Sequence, residues 1–186
     1  MKQTWETIET WLGANVPGVL ETLLAPATLQ DIQRAEEILG VSLPDDVRES
    51  YLVHNGQALD EGTAAFGLIA GHELLRLSYI TAAWRGYKAQ YDEGSFDVMP
   101  EPVPGLKDDF WNPKWIPITT MGTSEHHCID LDPGPGGTVG QIILWSRDGH
   151  REVVARSFKE WLEQFAQDLV EGHYTVARLS VTNEID

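Results

Sequence analysis

LPDDVRESYLVHNG, residues 43–56, is the stretch on which the fold turns. Pro44 suits the opening of a helix, because the N–H it lacks would have no intrahelical partner there. Val47, Tyr51 and His54 recur at helical spacing and mark one apolar side. Asn55 and Gly56 tolerate the left-handed backbone that stops a helix. The expectation is a short amphipathic helix over residues 44–55, closed by a tight turn.

On the N-terminal side, Leu29, Ile32, Ala35, Ile38 and Leu39 form another apolar stripe. Thr28 and Asp31 approximate a capping box at its start, and Gly40 ends it. Two successive helices with so short a connection predict a helical hairpin. Trp5, Ile8, Trp11 and Leu12 give an earlier amphipathic helix, and residues 17–24 a brief one broken by Ala25 and Pro26.

On the C-terminal side, residues 64–69 (AAFGLI) form a short apolar run between glycines and predict a strand. Leu74, Leu75 and Leu77 predict a second strand or a turn. Ser78 then caps a helix reaching about Tyr91. Residues 92–114 carry Pro100, Pro102, Pro104 and Pro113, which forbid a long regular element. Such a connection is either a functional loop or a surface insertion.

Beyond it the pattern changes to strands. Residues 115–119 form one, with Pro117 marking an edge or an end. Residues 127–131, 141–145 and 151–155 predict an antiparallel meander, and Asp148-Gly149 is the hairpin signal between the last two. The middle run, QIILW, is continuously apolar and therefore central. Ser157 and Glu160 frame a last helix whose stripe is Phe158, Trp161, Leu162, Phe165 and Leu169, with Gly172 as its stop. Residues 175–181 alternate like a further strand, and residues 183–186 form a polar tail. The sum is a single α+β domain over residues 1–186, with a mostly antiparallel sheet and helices packed around it.

Hydrophobic residues make up 42% of the 186, enough for a core and too many for a disordered chain. There are 29 acidic and 13 basic residues, a formal charge of −16. That field disfavours nucleic acid and anionic membrane surfaces and suits a basic protein partner. One cysteine, Cys128, excludes an intrachain disulfide and fits a reducing cytoplasm. The N-terminal segment has no long apolar run, so neither a signal peptide nor a membrane span is expected there.

The motifs bear on four chemistries. His126, His127, Cys128, Asp130 and Asp132 are all metal-ligand types. A strand sends His127 and Asp130 to opposite faces, however, so the cluster cannot wrap a tetrahedral ion. Cys128 reads as a small core residue. A calcium loop starting at Asp130 needs glycine at its sixth place and glutamate at its twelfth, where Pro135 and Gln141 stand. Gly134, Gly136, Gly137 and Gly140 lead into a strand and have no neighbouring lysine, unlike a phosphate loop. His127 and Cys128 point apart as strand neighbours and make no nucleophile–base pair. No catalytic residue, metal or cofactor is expected.

In combination, the Leu-Pro and Asn-Gly block (residues 27–57), Trp84, the Asp-Pro to Gly-Gln block (residues 115–145) and the SFKEWLEQF helix resemble the yeast cell-wall-synthesis regulator family (Smi/Knr type) of the SUKH superfamily. The resemblance suggests a bacterial member without the long flanks of the yeast proteins. It implies a mixed α/β fold and a binding role without catalysis. Many bacterial members are immunity proteins that neutralise a toxin, often a nuclease or deaminase, and the yeast member acts in glucan synthesis. An acidic immunity protein binding a basic toxin domain is the first functional expectation, and a cell-wall regulatory scaffold the alternative. A small-ligand protein or enzyme with a site not visible in the motifs is the third. Contact is expected from a groove exposing Trp84, Tyr87, Tyr91, Trp111 and Trp115, with Asp108, Asp109, Asp130 and Asp132 supplying negative field. Core packing is the competing role for each tryptophan.

Overall fold

The computed structural model describes residues 1–58, 67–96, 99–122, 124–177 and 180–183, with side chains up to Tyr174. The chain begins with helices α1 (Lys2–Asn15), α2 (Pro17–Leu20), α3 (Leu29–Leu39) and α4 (Asp45–Tyr51). Strand β1 (Glu73–Leu74) and helix α5 (Leu77–Asp92) follow. Strands β2 (Trp115–Pro117), β3 (Thr119–Thr120), β4 (Glu125–Asp130), β5 (Gln141–Ser146) and β6 (Arg151–Ala155) come next. Helix α6 (Phe158–Glu171) and the hairpin of β7 (Tyr174–Ala177) with β8 (Ser180–Asn183) close the chain. Of the strand expected over residues 64–69, residues 64–66 lie outside the described residues, and Gly67, Leu68 and Ile69 show only an isolated bridge from Ile69 to His72.

The main sheet runs β2-β4-β5-β6 and is antiparallel throughout, while β1 pairs with β3. The apolar run of β5 is central, as its composition required, and β2 with Pro117 is an edge. The last strand signal resolves into a hairpin rather than one strand.

The opening stretch organises the helical side. Its helix stops at Leu52, short of the expected Asn55, and the residues beyond α4 bind neighbouring elements instead. Within α4, buried Ser50 accepts a hydrogen bond from Trp5 Nε1 (2.9 Å), and the Tyr51 hydroxyl donates to Leu75 O (2.7 Å). Asp46 accepts from the Lys159 amide at the start of α6 (2.8 Å). Asn55 Oδ1 accepts from the Leu77 amide (3.1 Å) and so caps α5, a role expected of Ser78. Gly56 has φ +72°, and a Cβ there would stand 2.5 Å from Arg76 N. It therefore permits a backbone crossing and not merely a helix stop.

The Thr28–Asp31 capping box and the left-handed Gly40 are both present. The expected α3–α4 hairpin is not the main packing: α3 lies against α5, and α4 against α6. At α6, Ser157 accepts from the Glu160 amide, while Glu160 reaches back to the Arg156 amide and not to Ser157.

The sheet is covered on both faces. Ile116, Ile129 and Ile142 face the main core, with Trp5, Ile8, Ile32, Val47 and Phe158 of the helices. Cys128, Ile143, Trp115 and Trp145 face a second core completed by Tyr87 of α5 and by Leu106 and Trp111. The proline-rich connection is thus no surface insertion: it seals the second face.

Candidate functional site

The aromatic residues expected to form a contact groove converge on that second core. Tyr87, Trp111 and Trp115 are buried, Trp111 and Trp115 to 1% exposure or less. Trp84 is half-buried and donates to Pro113 O (2.8 Å), and Trp145 donates to Phe110 O (2.7 Å). Only Tyr91 of the expected aromatics is exposed, its ring edge-on to Trp111 at 5.8 Å. Their size explains the placement. Wide rings at helical spacing on α5 and along the connection remove more apolar area from water by covering the sheet than by facing solvent.

The acidic residues divide in the same way. Asp108 is exposed, and Asp109 and Asp132 are half-buried. Asp130 is buried. Asp130 accepts from Gln141 Nε2 (2.8 Å) and the Asp132 amide (2.9 Å), and burial still pushes its carboxyl up. Asp132 pairs with Lys107 Nζ at 2.5 Å, which holds its carboxyl below the usual range. Asn112 Nδ2 donates to both Asp109 (2.7 Å) and Asp132 (3.2 Å). Of the expected surface, Tyr91 and Asp108 are exposed, while Trp84, Asp109 and Asp132 are half-buried.

Two residues the motifs did not single out hold this segment in place. Arg151 on β6 donates to the carbonyls of Glu101, Lys107 (3.0 Å) and Asp109 (2.7 Å). Gln141 donates to Gly105 O (2.9 Å) as well as to Asp130. Gly134 lies so close that a Cβ would meet Leu106 O at 2.1 Å. Partners more than 25 residues apart leave no local signal; the one available hint was an arginine at a strand position.

His72, His126 and His127 are buried. His126 Nδ1 meets Thr119 O at 2.7 Å, and a carbonyl only accepts, so Nδ1 carries the proton and Nε2 accepts from the Tyr87 hydroxyl at 2.5 Å. Burial pushes His126 down to about 4 and His127 down to about 3. His72 is lowered for the same reason, though its Nε2 stands 3.1 Å from Glu125 Oε1. Burial also pushes the Cys128 thiol up, so no thiolate nucleophile is available near neutral pH. Among the described residues, one set of metal-ligand types converges: Asp168, Glu171 and His173 at the exposed end of α6. A separate cleft of about 510 Å³ between α3 and α5 is lined by Arg34 and Arg76, with Arg76 stacked on Tyr79 at 4.0 Å. No described helix is long and apolar enough to cross a membrane.

Residues 26–164 match the SMI1/KNR4 family (SUKH-1). The chain belongs to that family. It is similar to the cell wall assembly regulator SMI1 of Saccharomyces cerevisiae, at 31% identity over 91% of this chain and 40% of that protein. Against the cell wall biosynthesis/cell cycle regulator smi1 of Schizosaccharomyces pombe, identity is 32% over 95% of this chain and 37% of the other. A glucan synthesis regulatory protein of Neurospora crassa is 27% identical over 93% of this chain and 39% of its own length. The chain thus spans about two fifths of these relatives. All three are fungal, and they give no support to the expectation of a bacterial member.

Proposed function

We propose that this chain is a non-catalytic binding module that regulates cell-wall polysaccharide synthesis through protein contacts in the cytoplasm. The observation that carries this reading is alignment over nine tenths of the chain with fungal proteins named as regulators of wall or glucan synthesis. The buried thiol and the neutral, sequestered histidines fit a role without bond chemistry. Exposed Tyr91 and exposed Asp108 offer an aromatic anchor and negative charge, features suited to a basic partner. Deleting the gene in its own host and following labelled sugar into the wall tests the reading. Lower incorporation is expected; unchanged incorporation contradicts it.

The charge of −16 favours a second reading, neutralisation of a basic toxin such as a nuclease or deaminase. Co-expression with a toxin encoded beside it separates the two: rescue of growth supports immunity, and equal killing with or without this chain removes it.

A further inference from the structure

The cleft of about 510 Å³ between α3 and α5 has the size of a ligand pocket, roughly 300–1,000 Å³. Its charged side chains are Asp31 and Arg34 of α3 and Arg76, the N-cap residue of α5. Leu24, Ile38 and Leu77 are among its apolar walls.

Both guanidiniums are left without an anion. Arg76 lies with one face on the Tyr79 ring, Cζ 4.0 Å from its centroid. That stacking leaves the N–H edge free, and the Nε atom is buried with no hydrogen-bond partner. A buried donor without an acceptor is costly. Arg34 is exposed and, among the described residues, makes no hydrogen bond or ion pair. Carboxylates are plentiful in a chain with 29 acidic and 13 basic residues, and Arg48, Lys88 and Lys107 each pair with one. Two unpaired arginines in one cleft stand apart from that pattern.

The neighbouring polar groups do not fill the gap. Asp31 Oδ2 accepts from the Thr28 amide (2.9 Å) and hydroxyl (2.6 Å), which ties this carboxylate to the start of its own helix. Asn55 Oδ1 is taken by the Leu77 amide, and the Thr81 hydroxyl donates to Ser78 O (2.9 Å). The Ser78 hydroxyl is exposed and has no partner among the described residues. It stands on the first turn of α5, where the helix dipole also favours negative charge.

These groups select a ligand class. Two guanidiniums against one engaged carboxylate repel a cation. A neutral molecule leaves both charges uncompensated, and a monocarboxylate balances one fork only. A phosphate monoester carries close to two negative charges at neutral pH and three terminal oxygens, enough for both forks and the hydroxyl. The apolar walls and the remaining volume suit the organic body of such an ester. We propose that the α3–α5 cleft binds a small-molecule phosphate monoester, its phosphoryl group held by Arg34, Arg76 and the Ser78 hydroxyl. The proposal stands on the cleft's own groups and holds whether or not the chain regulates wall synthesis.

The test is calorimetric titration of the full chain with phenyl phosphate, inorganic phosphate, benzoate and a phosphotyrosine peptide. Phenyl phosphate should bind at least tenfold more tightly than benzoate or inorganic phosphate, and no more weakly than the peptide. Arg34→Gln, at an exposed helical position, should weaken it about tenfold with the melting temperature unchanged. Arg76→Lys keeps the charge but removes the fork and the Nε donor, and should weaken it by a similar factor. Loss in Arg34→Gln alone suffices should Arg76→Lys fail to fold. No binding of phenyl phosphate, equal binding of benzoate, or undiminished binding in Arg34→Gln would overturn the assignment. Inorganic phosphate binding as tightly would overturn the organic body, and a peptide binding tenfold more tightly would overturn the small-molecule source.

Discussion

Acidification should strip this protein of much of its stability well before its carboxylates are titrated. An unfolded histidine titrates near 6.5. His126 and His127 are held neutral in the fold, at about 4 and about 3. The folded values lie below the unfolded one, so the unfolded chain binds more protons as pH falls. The stability is therefore fully present above about pH 6.5 and is lost on descent toward the folded values. At pH 5 each ring has been carried about 1.5 units below the unfolded value, a loss of about 2 kcal/mol apiece and about 4 kcal/mol for both. His72 adds a loss of the same sign, and the raised carboxyl of Asp130 acts in the opposite sense. A loss of about 4 kcal/mol is a large part of the 5–15 kcal/mol typical of a domain. Urea unfolding followed by tryptophan fluorescence between pH 7.5 and 5 measures it. Substituting either His126 or His127 by Phe should remove about half of the pH dependence, because a phenyl ring binds no proton. Stability that changes by less than about 1 kcal/mol over this range, or an unaltered slope in both variants, would refute the reasoning.

Ser50→Ala leaves the buried Trp5 Nε1 without its acceptor and should cost about 1–3 kcal/mol in the same urea assay. Arg151→Met removes the donors that hold three carbonyls of the proline-rich connection. Limited proteolysis should then cut within residues 99–114 at least tenfold faster, while α1 and α6 stay protected.

The elements that were legible in the sequence are those whose signals are local. The Thr28–Asp31 cap, Gly40, Ser157 and Gly172 act within a few residues of themselves, and the β4–β5–β6 meander follows from alternation and one Asp-Gly turn. The role of Asn55 is not legible locally, because the helix it caps begins more than twenty residues later. Helix α3 pairs with α5 rather than α4 for a similar reason: short connections favour adjacency, and here α3 packs on α5 and α4 on α6, both distant in sequence. The contact surface was only partly legible. Nothing local distinguishes Trp111, which closes the second core, from Tyr91, which lies over it in solvent; the difference comes from the path that Arg151 and Gln141 impose on the chain between them. Strand alternation separates His127 from Cys128, yet the rings His127 meets, His72 and Trp161, are far away in sequence.

On the function proposed above, this molecule acts through its accessible aromatic and acidic residues. The most direct test returns two versions of the gene to the deletion host and follows labelled sugar into the wall. One is native; the other carries Tyr91→Ala with Asp108→Asn, both at exposed positions. The native gene should restore incorporation, and the variant, folded and equally abundant, should restore less than half of it. Full restoration by the variant would rule out a role for these two side chains.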